Sequence, residues 1–227
     1  MSAHKTLRTI RTFVMRQGRM TPSQQYAIDH YWLNFGIPTQ NQPFDYKALF
    51  HREAPVIVEI GFGMGDSIIE MAKANPVNNY IGIEVHPPGV GRCLHLLVSE
   101  QLTNLRLCNV DALTVFDTNI PDNSLAGIQI FFPDPWHKKK HHKRRLINPK
   151  HLSLFCQKLK AGGFLHIATD WEAYALTILE DLNASKTFDA LEDTHQSKQY
   201  RVETKFERRG QRLGHKVFDF RYQKVGE

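Results

Sequence analysis

Hydrophobic residues along this chain gather into short runs separated by stretches with helical spacing. VIVEI (56–60), NYIGIEV (79–85), LRLCNV (105–110), AGIQIFF (126–132) and FLHIATD (164–170) have the length and the β-branched content of buried strands. Between them, GDSIIEMAKANP (65–76) repeats apolar residues at helical spacing and stops at Pro76. PPGVGRCLHLLVSEQ (87–101) reads as a helix whose start is left open by Pro87, Pro88 and Gly89. Asn148 and Pro149 make an N-cap and first-turn pair for a helix running to about Lys160 and closed by Gly162 and Gly163. Trp171 to about Ala184 is a further helix, and VFDFRYQ (217–223) suggests one or two more strands, antiparallel to the rest. Strands and helices in alternation predict an α/β fold, a doubly wound and mostly parallel sheet whose ligands sit at the carboxyl ends of the strands.

The region before this alternation reads as a basic extension, residues 1–40, ahead of one domain over 41–227. Lys5, Arg8, Arg11, Arg16 and Arg19 precede the first acidic residue, Asp29. That composition also suits an organellar transit peptide, but RQGRMTPSQ (16–24) reads as a defined loop instead. At 227 residues and 41% hydrophobic the chain can bury a proper core. Its 29 Lys and Arg against 23 Asp and Glu give a net charge of +6, which favours a polyanionic partner. Cys93, Cys108 and Cys156 form no CxxC pair and leave an odd count, so no disulfide framework or zinc knuckle is indicated and a cytoplasmic location is expected. No apolar run approaches the roughly 18 residues of a membrane span.

The first strand runs into Glu59-Ile60-Gly61-Phe62-Gly63-Met64-Gly65-Asp66. Glycines at this turn permit positive φ and close approach of the backbone to a nucleotide-like cofactor. A dinucleotide fingerprint would have glycine or alanine where Asp66 stands, at a helix N-terminus that an acidic residue makes hostile to pyrophosphate. Glu59 adds to that. A cofactor with a cationic end fits better, and S-adenosylmethionine carries an ammonium and a sulfonium. Glu84, ending the second strand, is placed to accept from ribose hydroxyls, and Asp111, after the third, from an adenine amino group.

After the fourth strand comes FFPDPWHKKKHHKRR (131–145). Pro133 and Pro135 hold Asp134 on a stiff backbone, as a positioning or catalytic carboxylate requires. Residues 137–145 are all His, Lys or Arg. Three histidines are enough by count for a metal, but the lysines and arginines around them oppose a cation. Tracking of an RNA backbone accounts for the run better than a solvated surface does. Trp136 offers either a stacking surface or a buried anchor.

The glycine loop with Glu84 and Asp111 resembles class I S-adenosylmethionine-dependent methyltransferases. FFPDPWHKKKH (131–141), ATDWEAYA (168–175), TKFERRG (204–210) and RQGRMTPSQ (16–24) together resemble the bacterial tRNA (guanine-N7-)-methyltransferase family. That resemblance implies a Rossmann-like seven-stranded sheet, mostly parallel with an antiparallel C-terminal strand, and methylation of N7 of guanine 46 in the tRNA variable loop. It implies cofactor contacts at Glu59, Gly61, Gly63, Gly65, Glu84, Asp111 and Asp134, and a catalytic role for Asp134, either stabilising charge on the guanine or orienting the base. It places tRNA substrate contacts at Lys138, Asp170, Thr204, Lys205, Phe206 and Glu207, and RNA-backbone contacts at Lys140, His141, His142, Lys143, Arg144 and Arg145. No metal, membrane or obligate second subunit is expected; the chain acts as a monomer or homodimer. The rival readings are the same chemistry on another RNA base or a protein nitrogen, a relict RNA-binding module, disfavoured by the intact acidic set, and a nicotinamide oxidoreductase, disfavoured by Asp66 and the basic run.

Overall fold

A computed structural model of the chain describes residues 11–14, 18–191, 201–203, 207 and 216–226. The described residues form one seven-stranded sheet: β1 (Val56–Ile60), β2 (Asn79–Ile83), β3 (Leu105–Cys108), β4 (Leu125–Phe131), β5 (Leu159–Thr169), β6 (Phe188–Ala190) and β7 (Phe218–Lys224). The lateral order is β3-β2-β1-β4-β5-β7-β6, with β1 to β5 parallel and β7 antiparallel to both of its neighbours. This is the expected fold class.

The helices are α1 (Pro22–Phe35), α2 (Tyr46–Phe50), α3 (Asp66–Ala74), α4 (Pro87–Ser99), α5 (Ala112–Thr118), α6 (Pro149–Lys158) and α7 (Glu172–Ala184). Alternation along β1 explains the layering. Val56, Val58 and Ile60 join the core shared with α5, α6 and α7, while Ile57 joins the core shared with α1, α3 and α4. Strand order reverses around β1, so the loops leaving β1 and β4 diverge and open a crevice at their carboxyl ends.

Two boundaries differ from the sequence reading. Gly162 and Gly163 do not close α6. The helix ends at Lys158 and β5 begins at once at Leu159. Leu125 pairs with Leu159 but Gly127 with Phe164, so two steps along β4 face five along β5, and the glycines lie in the resulting bulge, Gly162 at φ 71°. The loop read around residues 16–24 ends at Thr21, which caps α1: its side chain accepts from Gln24 N–H, and the Gln24 side chain accepts from Thr21 N–H. Helix α1 then packs on α4, where a Cβ on Gly91 would meet the Gln24 carbonyl at 2.5 Å. Beyond α1, Ile37 N–H donates to Leu107 O of β3 at 2.7 Å, tying this segment to the sheet edge.

Candidate active site

The crevice holds a cavity of about 370 Å³ where β1, β2, β3 and β4 end. Gly61, Glu84, Asp111, Pro133 and Asp134 line it, and residues 12–14 close one side. Glu84 is half-buried and strongly engaged: Oε2 accepts from Gly63 N–H at 2.9 Å, and Oε1 from the N–H groups of Val85 and His86 at 2.7 and 2.9 Å. With three of its four lone-pair sites taken, it fixes the glycine loop as well as facing the cavity. Gly63 in turn has a left-handed φ of 59°, and its carbonyl lies so near α4 that a Cβ on Gly89 would meet it at 2.1 Å. The PPG start of α4, unreadable from spacing, is a notch for this loop.

Asp111 caps α5, accepting from Leu113 N–H at 3.2 Å through Oδ1, while it lines the cavity. Burial raises its pKa above the usual carboxylate value, and that N–H opposes the rise. Capping and ligand binding are therefore compatible at this residue. Glu59 does not line the cavity. It is buried in β1 behind the loop, its pKa pushed up by desolvation to about 8, and its Oε2 has no hydrogen-bond partner. Asp66 is paired with Arg92 at 2.7 Å, so its charge is turned toward α4 and bears less on phosphate than the sequence suggested.

The chain leaves β4 through two non-glycine residues in the left-handed region, Phe132 at φ 53° and Trp136 at φ 51°. Each costs about 1–3 kcal/mol and persists only where its surroundings impose it. Between them Asp134 is exposed at the cavity, and its Oδ1 accepts from Trp136 N–H at 3.0 Å. Trp136 is a buried anchor: its Nε1 donates to Thr12 O at 3.1 Å.

The basic run divides in two. Lys138 caps a short 3-10 helix (Lys139–Arg144), and Lys138, Lys139, Lys140 and Lys143 are exposed, with His141 and His142 half-buried. The two arginines point inward. Arg144 donates to Arg11 O and Phe13 O at 2.8 and 3.0 Å and stacks on Trp136 at 3.9 Å. Arg145, 5% exposed, donates to Pro135 O at 3.0 Å and Thr177 Oγ1 at 3.2 Å and lies over the Tyr174 ring. Both anchor the loop through these contacts. A guanidinium fork serves several carbonyls and a ring at once, which an ammonium does not. No cluster of His, Cys, Asp and Glu suited to a metal occurs among the described residues.

Asp170, half-buried, follows β5 beside Trp171, whose ring meets His137 edge-on at 4.2 Å, so the β4 and β5 loops adjoin near Lys138. Thr204, Lys205 and Phe206 lie outside the described residues. Glu207 does not face the cavity. It is fully buried and ion-paired with Arg201. Arg201 also binds Asp219, which binds His166 at 3.0 Å. Burial works against the charge on Asp219, and the hydrogen bonds from Arg201 and His166 outweigh it, holding the carboxyl down to about 2. Sequence spacing contains no signal for Arg201, Asp219 or His166, which meet only when β5 and β7 pair.

A protein-family model described as "Putative methyltransferase" matches residues 53–220. A tRNA (guanine-N(7)-)-methyltransferase of Klebsiella pneumoniae subsp. pneumoniae is 50% identical over 97% of this chain and 94% of its own length. One from Psychromonas ingrahamii is 50% identical over 98% and 92%. Among solved structures, the 16S rRNA methyltransferase KamB superposes with a TM-score of 0.54 at 13% identity, covering 85% of this chain and 99% of that one, a likeness of fold.

Proposed function

The chain belongs to the bacterial tRNA (guanine-N(7)-)-methyltransferase family, and from this membership and the cavity's geometry we propose that it methylates N7 of guanine 46 in the variable loop of tRNA, using S-adenosylmethionine. The observation that carries the reading is the convergence of Glu84, Asp111 and Asp134 from the ends of β2, β3 and β4 on one cavity beside a glycine loop. The residues suit that cofactor: Glu84 and Asp111 would accept from its ribose and adenine. The unpartnered oxygen of Glu59 behind the loop suits a nearby ammonium. When bound, the cofactor supplies an electrophilic methyl group on a sulfonium.

Guanine N7 carries an in-plane lone pair and no proton, so these residues need supply no strong general base. What they supply is alignment and negative charge near a base that becomes cationic. Asp134, exposed at the cavity and braced by Trp136, takes that role, through charge or through the donors on the opposite edge of the guanine. Lys138 and Asp170, on the adjoining loops, and residues 204–206 contact the tRNA, while Lys140, His141, His142 and Lys143 meet its backbone. The chain works in the cytoplasm as a monomer or homodimer, its methyltransferase domain spanning 41–227.

Incubation with labelled S-adenosylmethionine and total tRNA, followed by mapping of the labelled nucleotide, tests the assignment; label anywhere but guanine 46 refutes it. Asp134→Asn should lose about a hundredfold or more in turnover while tRNA affinity holds. Near-normal turnover would remove Asp134 from catalysis.

A further inference from the structure

The Arg201 side chain is fully buried, although the residue belongs to no strand or helix. Nε and Nη2 donate to Oδ1 and Oδ2 of Asp219 at 2.6 and 2.8 Å, and Nη1 donates to Glu207. All three guanidinium nitrogens are thus engaged by carboxylates. The guanidinium carbon lies over the Phe132 and Phe131 rings, 5.5 and 5.8 Å from their centres. Phe131 also meets the His166 ring edge-on at 5.1 Å, and His166 shares Asp219. A cation that forks to two carboxylates while lying over two rings suits arginine better than lysine.

We infer that Arg201 is a positioning residue for methyl transfer, holding Phe132 in its left-handed turn and so aiming Asp134, while locking Glu207 to the same frame. The inference rests on the role given to Asp134 above. Phe132 N–H is fixed to Ala168 O at 2.8 Å, which secures the backbone through its amide. The ring is secured by Arg201. Freed from it, Phe132 drifts toward an ordinary φ, and Pro133, whose own φ is fixed, passes that rotation on to Asp134. Errors of that kind misplace a reacting group without weakening the binding of its ligands.

Arg201→Lys keeps a positive charge between Asp219 and Glu207 but loses the fork and the flat face. Single-turnover methyl transfer to tRNA should fall about tenfold to a hundredfold, with the dissociation constants of S-adenosylmethionine and tRNA within about twofold of the parent. An unchanged rate overturns the inference, and so does a loss confined to tRNA affinity. In an Asp134→Asn background, Arg201→Lys should slow the reaction little further. Losses that multiply would overturn the route through Asp134 while leaving Asp134 catalytic. Near-normal turnover of Asp134→Asn alone would instead refute the underlying assignment. Should Arg201→Lys fail to fold, Phe132→Leu removes the ring face and leaves the ion pairs intact. It should show the same slow transfer, and a parental rate would sink the proposal.

Discussion

Two sets of acidic side chains border the Phe131–Phe132 pair, one in the cavity and one behind it. Glu84, Asp111 and Asp134 are half-buried or exposed, and their protein partners are backbone N–H groups. Glu207 and Asp219 are enclosed, and their partners are the side chains of Arg201 and His166. The residue types are the same and the consequences differ. Backbone donors hold a carboxylate in place and leave its charge available to a ligand, whereas a guanidinium cancels the charge and turns the group into scaffold. An acidic residue in a motif therefore says little about its role until its donors are known.

The largest effect should follow from breaking the enclosed set. Asp219→Asn leaves Arg201 short of a charge in a buried place and should cost about 3 kcal/mol in denaturant unfolding. Its pH dependence sharpens the contrast. The Asp219 carboxyl lies at about 2, below the ordinary 3.8, so its stabilisation is full above about pH 4 and is lost as pH falls toward 2. The parent should lose on the order of 2 kcal/mol across that window through this group, and Asp219→Asn should lose correspondingly less. Equal acid sensitivity of the two proteins would show that the network contributes no linkage.

A smaller effect of a different kind should come from the cavity set. Glu84→Gln replaces an oxygen that accepts backbone N–H groups with an amide that cannot, loosening either the Gly63 turn or the Val85–His86 pair. Affinity for S-adenosylmethionine, measured by calorimetry, should drop by about 2 kcal/mol, roughly thirtyfold. A variant that unfolds readily yet binds the cofactor as the parent does would place Glu84 with the scaffold.

How far the sequence discloses these two sets depends on the range of the interactions. Glu84, Asp111 and Asp134 follow buried apolar runs, so topology alone brings them to one face, and the cavity was legible. The strain at Phe132 and Trp136 was not, although the flanking prolines signalled stiffness. Capping signals for α1 were present in Thr21, Pro22 and Gln24, but the helix is largely exposed and lacks a clear apolar stripe, so it passed for loop. The bulge in β5 escaped because paired glycines mark a helix end and a strand irregularity equally well. The enclosure of Glu207 was hidden for a deeper reason. Its partner arginine is six residues away in an irregular segment, and their enclosure depends on β7 pairing with β5, which no local pattern encodes. The inward turn of Arg144 and Arg145 was hidden similarly, since a run of nine basic residues gives no hint that its last two turn inward.

That division of the basic run allows the finest discrimination. Lys139, Lys140 and Lys143 are exposed on the turn after Trp136, whereas the Arg144 guanidinium is occupied by the carbonyls of Arg11 and Phe13. Each lysine that meets a phosphate contributes about 0.9 to the slope of log affinity against log salt, or about three- to fourfold in affinity over a fourfold rise in salt. Substituting each lysine by Gln should therefore flatten the slope for tRNA binding by close to one unit, leaving cofactor affinity unchanged. Arg144→Gln should leave the slope as it is, because that charge is spent on the protein. If Arg144→Gln flattens the slope as a lysine does, the arginine exchanges its carbonyls for phosphate in the complex. The inward and outward halves of the run would then be alternative states of one surface.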